Sequence, residues 1–310
     1  MATASALADP TFASRDRVER FAGLHDFLAM TKPEVNLLVA ITTAAAFALG
    51  ASAAHVPLFP WMRFFGTLAG TLFVASGAAA LNQWMERDFD ARMHRTARRP
   101  VAAGRVDPSM ALALGALLSL TGMAILLGAS GRLPSLLAAA TLLGYLLLYT
   151  PSKRRTPLCT AIGAIPGAVP PLIGWAAARG RLDPEAWILF SILFLWQFPH
   201  FMAIAWMYRD DYDRAGYAVL PRGDGREQFV ALQTMLPLLA LGIASLLPVA
   251  PGRGAAYALG AVVLGLGFLA RGAQFALRRS APAARALLSA SILYLPLLFG
   301  LMLLARWTGA

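Results

Sequence analysis

The sequence predicts an all-α integral membrane protein of nine transmembrane helices, and three observations carry that expectation. The 310-residue chain is 58% hydrophobic and only 14% charged, with a mean hydropathy of +0.61, whereas soluble domains are roughly a quarter charged. Nine apolar stretches each reach about the 20 residues needed to cross a hydrocarbon core about 30 Å thick. Of the 27 Lys and Arg residues, 21 fall on one set of alternating connections, the asymmetry that orients membrane helices. None of the stretches alternates apolar and polar residues as a barrel strand does, so helices are the remaining solution for a backbone in lipid.

In chain order, residues 1–35 are expected to form a cytoplasmic amphipathic segment. Val18, Phe21, Leu24 and Leu28 recur at helical spacing beside Arg15, Arg17 and Arg20, and Lys32-Pro33 ends the run. Asp9, Asp16 and Glu19, with no apolar core and small-residue cleavage site, argue against a secretory signal or a transit peptide. The membrane domain, 36–310, follows with predicted spans at 36–56, 63–83, 109–128, 133–150, 158–178, 185–207, 228–250, 255–275 and 287–305. Gly66, Gly70 and Gly77 suit close helix packing in the second of these. The basic side is the N-terminal segment and the loops after spans 2, 4, 6 and 8. These are expected in the cytoplasm, with the C-terminus across the membrane, and a bacterial inner membrane suits the short acid-containing N-terminus.

A single cysteine, Cys159, excludes an intramolecular disulfide and a cysteine-built metal centre. The formal charge of +11 is dispersed between apolar runs rather than gathered in a basic domain, so nucleic acid is excluded as a partner and anionic lipid or a phosphorylated small molecule is favoured.

The acidic residues follow the arginines to the same side. At the end of the second span, Asn82, Glu86 and Asp90 recur every four residues, on one face if the helix runs on. Such oxygen donors suit Mg²⁺, which shares its coordination with water and substrate phosphates. Arg92, Arg95, Arg98 and Arg99 follow with forked donors for phosphate oxygens. A loop of both signs is also an ordinary headgroup-level connection, but Asn82 lies at the end of an apolar span, where polar side chains are costly. A second acidic group, Asp210, Asp211 and Asp213, follows span 6. By itself it is also common turn composition; with the first cluster it suggests paired metal sites around a diphosphate. Lys153, Arg154 and Arg155 sit between prolines as a positive-inside anchor or as counter-charge to that diphosphate. His200, two turns inside span 6, is an axial ligand for haem iron, a proton-transfer group, or a histidine satisfied by a carbonyl beside Pro199.

These motifs, with Thr31-Lys32-Pro33 before the first span, Met93-His94-Arg95-Thr96 and Arg99-Pro100 after the second, Tyr149 to Pro157, Gly174-Trp175, Pro199-His200-Phe201 and Ala215-Gly216 with Leu220-Pro221, resemble the UbiA-type intramembrane prenyltransferases over nearly the whole chain. The Met93 to Pro100 portion is similar to the branch that farnesylates haem. The resemblance implies a nine-helix bundle with a central cavity, farnesyl diphosphate and haem B as substrates, Mg²⁺ as cofactor, and haem O and diphosphate as products, with a haem A synthase as a candidate partner. By position it assigns one Mg²⁺ to Asn82, Glu86 and Asp90, a second to Asp210 and Asp211, the diphosphate to Arg95, Arg98, Arg99, Lys153 and Arg154, and the haem to His200. Two departures stand out. Glu86 replaces the Asp frequent in the superfamily, and Arg214 stands where the second motif would repeat an Asp. The same chemistry on a quinone precursor or a chlorophyllide is the nearest alternative. A transporter is a second alternative, but it predicts charges near the midplane, whereas here they gather at one interface.

Overall fold

The computed structural model describes residues 23–53, 58–248 and 254–308, so Val18 and Phe21 with Arg15, Arg17 and Arg20 lie outside the described residues. Among those described, nine helices are long and apolar enough to cross a membrane. A short helix α1 covers residues 23–30 with Leu24 and Leu28 exposed. It ends where Lys32 takes a φ of 49° ahead of Pro33, since proline disfavours helical geometry in the residue before it. Pro33 then opens α2, Pro33–Ala53, at the first helical position, where its missing N–H costs nothing.

Helix α3, Trp61–Asp90, runs unbroken for 30 residues. At 1.5 Å per residue it is about 45 Å long, longer than the hydrocarbon core. Its last turns therefore reach the interface, well past the predicted end at 83. Helix α4, Pro108–Ser130, is capped by Asp107, whose carboxylate accepts from the Ser109 N–H at 2.8 Å. It packs tightly on α3 because Gly70 and Gly77 face Gly115 and Gly122; a Cβ on Gly122 would run into the Gly70 carbonyl.

Helix α5, Arg132–Leu143, widens into a π-turn at Gly144–Tyr149 and closes with the short α6, Thr150–Ser152. Pro151 explains the widening, because it removes an amide donor one turn ahead. The predicted span 158–178 is two half-helices, α7, Cys159–Gly167, and α8, Pro170–Arg179. Pro166, Pro170 and Pro171 together remove three amide donors from the expected ladder, so one continuous helix is not available to this sequence.

Helix α9, Pro184–Met207, carries Pro199 inside it and is followed by α10, Arg209–Ala215. Helices α11, Gly225–Ala244, α12, Ala255–Arg278, and α13, Ala281–Thr308, complete the bundle. The last span thus begins at Ala281 rather than 287.

The outer surface is apolar, as lipid contact requires, over a core that is itself mostly apolar with scattered hydroxyls. Leu117, Leu136, Leu236, Leu266 and Leu293 point outward, while Thr43, Thr71, Ser119, Thr234 and Ser291 are buried. Several of the buried hydroxyls return their proton to a carbonyl of the preceding turn, as Thr71 does to Thr67 and Ser119 to Gly115, both at 2.7 Å.

Candidate active site

Alternation of direction along the bundle brings the start of α2 and the ends of α3, α6 and α9 to one side. A cavity of about 470 Å³ opens there and is lined by α2, α3, α5 with its π-turn, α7, α8 and α9 and by the connections as far as Val219; among the described residues, α4, α6 and α11 to α13 contribute nothing to its wall.

The end of α3 supplies the mouth. Asn82, Glu86 and Asp90 share one face and are 1%, 5% and 2% exposed. Lys153 Nζ donates to both Glu86 oxygens at 3.0 and 2.9 Å. Asn82 Nδ2 donates to Glu86 Oε2 at 2.9 Å and to Thr150 Oγ1 at 3.3 Å, leaving the amide oxygen for another partner. Asp90 Oδ2 accepts from the Arg99 guanidinium at 2.6 Å. The turn after α3 is held by Thr96, whose hydroxyl donates to the Asp90 carbonyl at 3.0 Å. Arg95 lines the cavity with its guanidinium over the rings of Tyr208 and Tyr212, at 5.1 and 6.0 Å. Four cationic side chains, Lys32, Arg95, Arg99 and Lys153, therefore face two carboxylates, an excess suited to an anionic ligand. Burial, then the charges of Arg99 and Lys153, push the Lys32 ammonium down to about 7.

Other candidates lie elsewhere. Arg98 is exposed and gives its carbonyl to Arg105 at 3.0 Å, while Arg154 stacks over Phe89 at 4.8 Å; neither lines the cavity. Asp210 is exposed beside Arg209 at 3.7 Å. Asp211 is buried but turns to the loop, accepting from the Arg95 N–H at 3.1 Å and the Arg214 guanidinium at 3.1 Å. Burial opposes its charge, yet the Arg95 and His94 backbone N–H groups hold the carboxyl below its ordinary value. Adjacent positions on a helix point about 100° apart, so the expected pairing of Asp210 and Asp211 around a second cation gives way to two separate surroundings. Asp213 pairs with Arg226 at 2.9 Å.

The donors at the mouth fit a hard cation, because two carboxylates and an amide oxygen are all oxygen ligands. Among the described residues no group of three or more His, Cys, Asp or Glu side chains could hold a metal ion, so phosphate and water would have to complete the coordination.

The deep end is neutral. Gln197 Nε2 donates to the Ala164 and Leu193 carbonyls at 3.0 and 3.1 Å, and its oxygen lies where a Cβ on Gly167 would be. His200 stacks on Trp196, centroids 4.6 Å apart, and meets Phe201 edge-on at 5.4 Å. Tyr145, Tyr149 and Tyr217 also line the wall. The sequence motifs assign no role to Tyr145, Tyr217 or Gln197, and Tyr149 enters only as the first residue of the Tyr149 to Pro157 motif, although a glutamine inside an apolar span is itself a signal.

Residues 39–305 match the model of the UbiA prenyltransferase family. A protoheme IX farnesyltransferase of Solibacter usitatus is 47% identical over 289 residues, spanning 91% of this chain and 99% of its own. A protoheme IX farnesyltransferase of Opitutus terrae is 41% identical over 287 residues, spanning 92% and 96%. A digeranylgeranylglyceryl phosphate synthase structure superposes with a TM-score of 0.72 at 15% identity, covering 92% of this chain and 99% of its own. A UbiA homologue from Archaeoglobus fulgidus bound to GPP and Mg²⁺ gives 0.57 at 12% identity, covering 89% and 99%. At these identities the two structures share the fold.

Proposed function

The chain belongs to the UbiA prenyltransferase family, and from that premise we propose that it transfers the farnesyl group of farnesyl diphosphate to a vinyl group of haem B, with addition of water, giving haem O and diphosphate. The observation that carries this reading is one cavity with cation-balanced carboxylates at its mouth and His200 in its depth. The haem branch is supported by near full-length relatives named protoheme IX farnesyltransferase.

Asn82, Glu86 and Asp90 would hold Mg²⁺, which neutralises charge on the leaving diphosphate. Arg99 and Lys153 already rest against those carboxylates. When an anion arrives they exchange one negative partner for another, and with Arg95 and Lys32 they stabilise the departing oxygens. As the C1–O bond breaks, positive charge develops on the allylic carbons. Tyr145 on the cavity wall offers a ring to such a cation, while the Tyr149 ring already carries the Lys153 ammonium at 4.6 Å, and the apolar wall keeps water away until the haem vinyl carbon has formed the new bond. Water then supplies the hydroxyl and releases a proton. His200 faces the haem iron in this reading.

The mouth is placed on the cytoplasmic side of a bacterial inner membrane with the C-terminus in the periplasm, as the arginine asymmetry supports; reporters fused to the C-terminus and to the 209–225 connection check it. The function is tested by giving purified protein in detergent haem B, farnesyl diphosphate and Mg²⁺, with an EDTA control. A haem heavier by one farnesyl group plus water, formed only without EDTA, is expected. Transfer to a quinone precursor and not to haem would discard the porphyrin assignment and keep the diphosphate site.

A further inference from the structure

Helix α13 contributes nothing to the cavity wall, yet one of its residues determines how His200 meets the cavity. His200 Nδ1 lies 2.8 Å from Ser291 Oγ, and the same Oγ lies 2.6 Å from the Leu288 carbonyl oxygen one turn earlier. Two oxygens that close repel unless a proton lies between them, so the serine's single proton belongs to Leu288. Toward the imidazole Oγ then offers only lone pairs, and Nδ1 must be the nitrogen that carries hydrogen and donates it. A neutral imidazole has one N–H, which leaves Nε2 with a free lone pair.

Nε2 has no hydrogen-bond partner among the described residues, and Gln83 Oε1 is the buried side-chain atom without a partner among them; Nε2 is thus accessible, on a residue that lines the cavity. The serine also fixes the ring's neighbour. Its backbone carbonyl accepts from Trp196 Nε1 at 2.8 Å, and the Trp196 ring lies 4.6 Å from the imidazole with 26° between planes. Ser291 itself is fully buried.

We propose that Ser291 is a positioning residue that sets the tautomer and ring plane of His200, so that Nε2 presents its lone pair to the iron of bound haem; this rests on the assignment of His200 to haem made above. A ligating histidine whose other nitrogen donates to a fixed acceptor is a better and better-aimed ligand, and losing such an acceptor costs ten- to a hundredfold in metal affinity. Ser291→Ala removes the acceptor and frees the imidazole to turn or change tautomer.

The test is titration of the full-length protein in detergent with haem B, read from the haem absorption spectrum, with farnesyl diphosphate binding as the check on folding. Ser291→Ala should weaken haem binding by about tenfold or more and move the spectrum toward that of His200→Ala, with farnesyl diphosphate binding retained and Ser291→Thr restoring the wild-type spectrum. A wild-type titration for Ser291→Ala alongside an altered one for His200→Ala would overturn the role of Ser291 and leave the haem assignment standing. A wild-type titration for His200→Ala overturns both. If Ser291→Ala loses farnesyl diphosphate binding, Ser291→Cys decides: its thiol is a poor acceptor of similar size, so an unchanged haem spectrum there refutes the proposal and a weakened one supports it.

Discussion

At the mouth of the cavity the carboxylates are held by charged side chains from other segments, Glu86 by Lys153 and Asp90 by Arg99; at its depth Gln197, Trp196 and His200 are held by backbone carbonyls and one hydroxyl. The difference separates two tasks. An ion pair between long side chains can be exchanged for a phosphate or a metal with little loss of Coulomb energy, so the mouth suits a ligand that arrives and leaves as an anion. Neutral bonds to backbone cannot be exchanged and hold a shape, which is what recognition of a rigid planar acceptor needs.

The strongest way to break the mouth is to remove a carboxylate. Asp90→Ala strips the partner from Arg99 and a donor from the cation set, and transfer should fall by on the order of a hundredfold or more while the detergent elution profile is unchanged; Asn82→Ala should do the same. Near wild-type haem O formation in either would remove the metal-site assignment. At the depth, Gly167→Ala drives a Cβ into the Gln197 oxygen. The KM for haem should rise by about tenfold, the equivalent of about 1.4 kcal/mol, with farnesyl diphosphate affinity unaltered. Equal losses for both substrates would show that the two ends act as one unit.

A milder perturbation uses Lys32. Its ammonium sits near pKa 7, and a bound diphosphate raises that value by favouring the charged form. Affinity for a non-reacting farnesyl diphosphate analogue is therefore full below pH 7 and declines as pH rises through it, by at most about tenfold per unit. Lys32→Arg, charged throughout, should flatten that profile; an equally steep profile would assign the titration to another group.

The bilayer makes much of this architecture legible, because a span must be apolar for about 20 residues whatever its function. Asn82, Glu86 and Asp90 were legible for a local reason: helical spacing alone puts them on one face. The break between α7 and α8 was written in Pro166, Pro170 and Pro171, but hydropathy outweighed those prolines in the reading of 158–178. Ser291 left no trace at all. Buried serines in membrane helices commonly bond to their own preceding turn, and only the approach of α9 to α13 turns this one toward a histidine 91 residues away in sequence.

The acidic cluster after α9 is where sequence and geometry part, and it sharpens the contrast most finely. Asp211 is buried against the loop and holds the Arg95 backbone, so Asp211→Asn weakens a charge-assisted bond that aims a mouth arginine; a several-fold rise in KM for farnesyl diphosphate is expected. Its neighbour Asp210 is exposed and rests only against Arg209, and exposed pairs of this kind are worth under about 1 kcal/mol. Asp210→Asn should therefore stay within about threefold of wild type in every kinetic constant, and within about a degree or two in Tm. Should Asp210→Asn instead abolish transfer, α10 must turn when substrates bind, because no fixed helix brings both neighbouring carboxylates to one wall.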